Sequence, residues 1–429
     1  MTSYRWLAIP SVLLLQLAAA PERAITAHVD AHHADALALL ERVVNINSGT
    51  QNFEGVREVG GIFRGELDRL GFRTAWVDGS SWGRAGHLVA EHPGRGPKML
   101  LIGHLDTVFE RDSPFQKFQR IGDHEAKGPG VIDMKGGDVI IVQALKALDA
   151  AGVLNTMNVT VVMTGDEEDP GRPLGKAREA LVNAAKGAHV AIGFEDGPGD
   201  PKYGVTARRG TTGWQLRVKA TPAHSSQIFR DDIGPGAIYE AARILNGFRE
   251  KMAGEAHLTF NPGTILGGTS VEFDAVQARG SAFGKTNVVA EHAIVSGDLR
   301  TLSREQLDRT MRTMREIAGT AVPHTEATLT FEEGYPPLAP TDGNAKLLAV
   351  YDRASRDLGF GPVQAVSPDK AGAADVSFIA GEVKMILDGV GLMGHDDHTP
   401  GETADLATLP SQTKRSAIAL YRLATQSNR

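Results

Sequence analysis

At 429 residues the chain exceeds the usual span of one compact domain, and its 41% hydrophobic and 23% charged residues exclude wholesale disorder. A formal net charge of -7 gives no basic footprint for nucleic acid and no reason to expect an anionic membrane partner. With Cys 0, a disulfide framework and a lipoprotein anchor are excluded as well.

In chain order, Arg5 precedes "WLAIPSVLLLQLAAA", a charged start, an apolar stretch too short to span a bilayer securely, then small residues. This predicts a signal peptide over residues 1–20, cleaved near Ala19 or Ala20, and a periplasmic or secreted mature protein with no membrane contact after cleavage. An uncleaved N-terminal helix is the alternative. Helical apolar spacing follows in "ADALALLERVVNI" and again in "EVGGIFRGELDRLGF", which closes on Gly71. "KMLLIGHLDTV" is a short buried strand, "DVIIVQALKALDAAG" a helix, and "NVTVVMTGDEE" another buried strand. Such alternation implies an α/β layer with a largely parallel sheet, in which ligands sit beyond the carboxyl ends of the strands.

From about Gly210 the texture changes. "TTGWQLRVKA" alternates like a half-buried strand, "GPGAIYEAARILNGFREKM" is a helix entered through a Pro/Gly turn, "NVVAEHAIVSGDLR" is strand-like, and "SREQLDRTMRTMREIAG" is an amphipathic helix. The dense prolines of "YPPLAPT" mark the return. The expected organisation is a first domain in two parts, residues 21–209 and 333–429, with a strand and helix module inserted at 210–332.

Chemistry-bearing residues fall at the ends of these strands and in the loops. His104 and Asp106 lie two apart after an apolar strand, which suits an imidazole held by a carboxylate, although a lone His-x-Asp also reads as a solvated loop. Asp133, in "GPGVIDMKGG", could equally cap the helix that follows. The acids Asp166, Glu167, Glu168 and Asp169 follow an apolar run, and they cannot all stay charged there unless cations neutralise them. "VAIGFEDGPG" adds Glu195 and Asp196, and "GLMGHDDHTPGE" adds His395 and His398. Imidazole mixed with carboxylate and no thiolate points to zinc or a similar divalent ion in a catalytic site; two ions bridged by a carboxylate would use this many ligands.

"GHLDTV", "GPGVIDMKGG", "GDEED", "FED" and "HTPGE", in that order, resemble the co-catalytic zinc peptidase family that includes aminoacylase-1, succinyl-diaminopimelate desuccinylase and glutamate carboxypeptidase of the carboxypeptidase G type. The resemblance covers nearly all the mature chain, and its helical opening is most similar to the glutamate carboxypeptidase branch. It implies a three-layer α/β/α catalytic domain of the zinc-exopeptidase kind, an inserted ferredoxin-like α+β lid that forms a homodimer, and two Zn²⁺ per subunit. Asp133 would bridge the ions, His104 and Glu195 would hold one, and Glu168 and His398 the other. Asp106 would orient His104, Glu167 would be the general base, and the Asp133-Met134 peptide would be cis. His398 is preferred to His395 because the family's last ligand precedes a Glu by about four residues, as Glu402 does here.

Within the inserted module, "KATPAHSSQ" resembles the family's lid motif, making His224 the residue that polarises a substrate carbonyl in the partner subunit. "TNVVAEHAIVSGDLR" matches the segment that would supply Asn287 and Arg300 to the substrate, the Arg gripping a carboxylate; a strand with a surface Arg is the plain alternative. The pocket loop departs from the family: "KAGAADVSF" keeps Gly372 and Asp375 but has Ala373 and Ala374 where Gly and a hydroxyl residue are usual. The other histidines, including His28, His32 and His33, read as solvated. "GSSWG" and "GVGLMG" match catalytic and dinucleotide motifs in letters only, because neither runs into a helix. The expected activity is zinc-dependent removal of a C-terminal amino acid from a small peptide. An aminoacylase or dipeptidase acting on N-acyl amino acids or dipeptides through the same site is the alternative, and a periplasmic metal- or peptide-binding protein the reading from another class.

Overall fold

A six-stranded sheet carries the larger of two compact units in the computed structural model, which describes residues 11–275 and 277–426. Its spatial order is Arg73–Asp78, Gly86–His92, Asn158–Thr164, Lys98–His104, Val190–Gly193, Ile386–Leu387. Gly86–His92 alone runs against the rest, pairing antiparallel with both its neighbours, and the last four strands pair in parallel. Met99, Leu101, Val159, Val161, Met163, Val190 and Ile192 share one core with Ile140, Ile141 and Leu145 of the helix Lys135–Ala150. The intervening Leu100, Ile102, Thr160, Val162 and Ala191 point to the opposite face and are just as buried. There the helix Glu179–Ala185 packs against Asn158–Thr164. Burial on both faces is why these strands read as continuous apolar runs, and it yields the expected three layers.

Of the expected leader, residues 1–10 lie outside the described residues. The helix Ser11–Ala31 runs through Pro21, and beyond that proline Ile25 and Val29 enter the core while Glu22 accepts two hydrogen bonds from Arg422. No helix among the described residues is long and apolar enough to cross a membrane. His28, His32 and His33 are not the solvated residues that the sequence suggests. All three are half-buried, and the rings of His28 and His32 stack 4.0 Å apart. Burial lowers the pKa of His28 and His33.

The second unit comprises Ala207–Ala339 with Ser367–Ser377. Its antiparallel sheet has the order Thr259–Gly268, His292–Thr301, Gly210–Ala220, Thr325–Phe331. Trp214, Leu216, Val218, Val295 and Leu299 form its core with Ile244 and Phe248 of the helix Ala237–Met252 and with Leu307 and Met314 of Arg304–Gly319. Strand, helix, strand, strand, helix, strand in that sheet order is the ferredoxin-like arrangement. An exposed hairpin, Ser270–Asp274 with Arg279–Phe283, interrupts it and has no counterpart in the elements predicted from sequence.

Candidate metal centre

Three parallel strands end side by side and deliver the chemistry. His104 is the last residue of Lys98–His104; Glu167 and Glu168 follow Asn158–Thr164; Glu195 lies two residues beyond Val190–Gly193. Asp133 enters from the loop before the helix Lys135–Ala150. That helix can seat itself against the strand ends because a Cβ on Gly137 would collide with the Phe194 carbonyl, and one on Gly136 with the Val131 carbonyl. The Asp133-Met134 peptide bond is cis.

Each oxygen of the Asp133 carboxylate meets a different imidazole. His104 Nε2 lies 3.0 Å from Oδ1, and His398 Nε2 lies 2.9 Å from Oδ2. Around His104 stands Glu195, its Oε1 at 3.6 Å from Nε2. Around His398 stands Glu168, its Oε2 at 3.1 Å, while Glu168 Oε1 is buried with no hydrogen-bond partner. Potential ligand atoms of His104, Asp133 and Glu195 therefore form one group, and those of Asp133, Asp397 and His398 a second that shares Asp133. His398 holds a left-handed backbone conformation, φ 58°, unusual for a residue with a Cβ. His395 and His398 are both exposed, but His395 turns to Asp396 at 2.9 Å and not to Asp133.

Asp106 has more partners than an orienter of His104 needs. His104 Nδ1–H donates to the Asp106 main-chain carbonyl at 3.0 Å, with the carboxylate at 3.5 Å. The carboxylate itself accepts from the Thr50 hydroxyl at 2.7 Å and from the amides of Glu167 and Glu168 at 3.0 and 3.1 Å. One buried group thus fixes both the imidazole and the two glutamates.

Two participants escape a reading of the sequence. Asp397 is an unremarked neighbour of His398. Glu402, fully buried, accepts the amides of Gly130, Ile132 and Asp133 at 2.9, 2.9 and 3.2 Å, tying the His398 loop to the Asp133 loop. Its only sequence signal is the spacing from His398.

The remaining candidates lie in the second unit. His224 is exposed, with Nδ1 2.9 Å from the Ser226 hydroxyl, and it bridges to Val288 beside Asn287, whose carbonyl accepts the Ser225 amide at 2.9 Å. Arg300 Nε donates to Asp298 at 2.8 Å. The Gly372 carbonyl accepts from Arg208 at 2.9 Å.

The donor set fits a pair of divalent cations. His104 and His398, the half-buried carboxylates of Glu168 and Glu195 and one unpartnered buried oxygen on Glu168 gather about the shared Asp133, with no thiolate among them. Without cations, protons take their place. Hydrogen bonds to Asp133 and Glu168 push His398 up to about 11. Burial opposes a charge on His104, yet Glu195, Asp106 and Asp133 together hold it well above the usual histidine value. Burial, with Asp133 beside it, pushes Glu168 to about 8. A metal must displace the protons that these shifts favour on His104, His398 and Glu168, so metal affinity rises with pH. Calorimetric titration at pH 7 in buffers of differing ionisation enthalpy should show net proton release on metal loading. A heat independent of buffer contradicts this.

Comparison with known proteins places the site in a wider set. Carboxypeptidase G2 from Pseudomonas sp. (strain RS-16) is 27% identical over 389 residues, covering 88% of this chain and 86% of that one. Succinyl-diaminopimelate desuccinylase from Gluconacetobacter diazotrophicus is 25% identical over 378 residues, covering 85% of this chain and 91% of that one. Among solved structures, the YXEP protein of Bacillus subtilis, described as a dinuclear metal binding peptidase from the M20 family, superposes with a TM-score of 0.64 at 17% identity, over 92% of this chain and 99% of that one. Residues 100–422, which span every residue of the two ligand groups, match the description Peptidase family M20/M25/M40, and the chain belongs to that family of metallopeptidases and amidohydrolases.

Proposed function

We propose that the chain is a zinc-dependent exopeptidase of the carboxypeptidase type, hydrolysing the amide bond before a C-terminal amino acid. The observation that carries this is the Asp133 carboxylate, one oxygen facing each imidazole, with Glu167 beside Glu168. Asp133 would serve both ions, His104 and Glu195 one, Glu168 and His398 the other. When bound, the ions supply Lewis-acid polarisation of the scissile carbonyl and an acidified water. Glu167 then takes the proton of the attacking water and passes it to the leaving nitrogen as the C–N bond breaks, so that acid and amine depart with protons balanced. Asp106, holding the amides of Glu167 and Glu168, keeps base and ligand in separate roles.

The second unit completes the reading. In a homodimer, the partner subunit's His224 would donate to the developing oxyanion. Arg300 would offer a planar fork to the free carboxylate of the substrate, and Asn287 and Gly372 would be further substrate contacts. We place the mature protein in the periplasm or outside the cell, after removal of residues 1–20; the leader supports this, and Glu22, Ile25 and Val29 would be retained.

The likeness to a desuccinylase favours one further reading, an amidohydrolase of N-acyl amino acids using the same residues. A panel of dipeptides and N-acyl amino acids with varied C-terminal residues, assayed with Zn²⁺, separates the two. The carboxypeptidase reading predicts that amidation of the C-terminal carboxylate lowers kcat/KM by about 100-fold or more, the loss of a charge-assisted bidentate contact. Because Ala373 and Ala374 stand where Gly and a hydroxyl residue are usual, a neutral or apolar C-terminal residue should be accepted. Equal turnover of free and amidated substrates overturns the reading.

A further inference from the structure

Among the described residues, the largest fully buried side chain is that of an arginine, Arg178, at the junction of the helices Leu174–Ala177 and Glu179–Ala185. Burying a guanidinium is costly even when it is paired, and apolar residues of similar size often serve stability as well or better. Its retention calls for another reason, and its partners supply one. Nη1 donates to Asp166 Oδ1 at 2.6 Å, and Nη2 donates to the main-chain carbonyl of the same residue at 3.0 Å. Asp166 Oδ2 accepts the Gly171 amide at 3.0 Å, and the guanidinium lies 5.3 Å from the ring centre of Phe378. Both charged side chains are essentially inaccessible, at 1% and 0%.

A second buried group braces the same step. His87 accepts the Gly165 amide on Nδ1 at 3.1 Å, which leaves the proton on Nε2 to donate to the Ala177 carbonyl at 2.7 Å. His87 thus spans the residues immediately before Asp166 and before Arg178, and it stacks on Trp82. On the other side, Asp106 takes the amides of Glu167 and Glu168. Four successive residues, Gly165 to Glu168, therefore have a main-chain group held by a buried side chain in place of a sheet or helix ladder. Such direct side-chain bonding fixes a backbone more narrowly than solvent would.

We infer that Arg178, with Asp166 and His87, is a positioning device that sets the backbone of the acidic loop, so that adjacent glutamates present one carboxylate as ligand and one as base. The inference rests on the roles proposed above for Glu167 and Glu168. Arg178 touches no substrate and acts only through the loop.

The test uses the metal-loaded protein. Removing Arg178 alone strands the Asp166 charge and confounds folding with positioning, so the decisive variant is the double exchange Asp166→Asn with Arg178→Met. It is expected to melt within a few degrees of the wild type. Its kcat should fall about 10- to 100-fold, as for a small misplacement of catalytic groups, with KM changed less than about twofold. After Co²⁺ substitution its visible spectrum should differ from that of the wild type. Wild-type kcat with an unchanged cobalt spectrum overturns the inference, leaving the pair as core filling. If the double variant does not fold, Arg178→Lys keeps the charge but lacks the two-pronged donor; wild-type kcat there also overturns it. Glu167→Gln assayed in parallel separates the two failures. If that variant stays active, the proposed roles fail; if it is inactive while the Arg178 variants are normal, the positioning inference alone fails.

Discussion

Glu167→Gln is expected to lower kcat by about 10²- to 10⁴-fold, the range for loss of a positioned general base, and to leave two ions bound per chain. The amide side chain is nearly isosteric but cannot take a proton. The Glu167 main-chain bond to Asp106 does not depend on the side chain, so the loop keeps its shape. Steady-state kinetics with metal analysis by mass spectrometry checks both halves. The neighbouring exchange gives the opposite pattern: Glu168→Gln removes a carboxylate that lies 3.1 Å from His398, and bound metal falls with activity. If Glu167→Gln lost metal and Glu168→Gln kept it, the two roles would have to be exchanged.

Asp133→Ala has the larger consequence for the metals, because one side chain serves both imidazoles. Loss of a partner behind a metal ligand costs about 10- to 100-fold in affinity. Loss of the shared ligand should exceed that for both ions, abolishing measurable turnover at micromolar Zn²⁺. The metal-free variant carries its own signature. His398 is held at about 11 by hydrogen bonds to Asp133 and Glu168, so in the wild type its interaction favours the folded state below the unfolded histidine value and fades as pH rises through 11. Removing Asp133 lowers the folded value, so the metal-free variant should melt below the metal-free wild type at neutral pH. Histidine titration by NMR should show the His398 transition moving down. An unmoved titration would mean that Asp133 does not face His398 in solution.

Much of this centre can be read in the sequence because it is built on strand ends. An apolar run that stops at Gly103-His104, another at Gly165-Asp166, and a third at Phe194-Glu195 mark carboxyl ends of parallel strands, and the parallel rule then brings them to one edge. What stays hidden is main-chain capture across long separations. Glu402 holds amides some 270 residues upstream, and its spacing from His398 marks its place but not that role. Arg178 sits in a polar-looking stretch, "GKAREA", whose burial comes from the layer packed above the sheet. The segment Asn287–Glu291 reads as the start of a strand, yet the strand begins at His292. The amide of Val289 bonds to Ala223, and the Ser225 amide bonds to Asn287, tying that stretch to the His224 loop instead. The acids of residues 166–169 divide in the same way. Asp166 faces inward to Arg178, Glu168 faces His398, and Asp169 pairs with Arg84 at the surface. Pairing of this kind, invisible to composition, relieves the repulsion at three of the four adjacent carboxylates.

Asp133 would join two metal sites into one catalytic centre. The most direct test of this is titration of the chelator-stripped protein with Zn²⁺, counting bound ions while following hydrolysis of a dipeptide. Two ions per chain, with activity absent in the stripped protein and restored on loading, is the predicted result. Full activity in the stripped protein, or saturation of binding without any ion at His104 and His398, would contradict it.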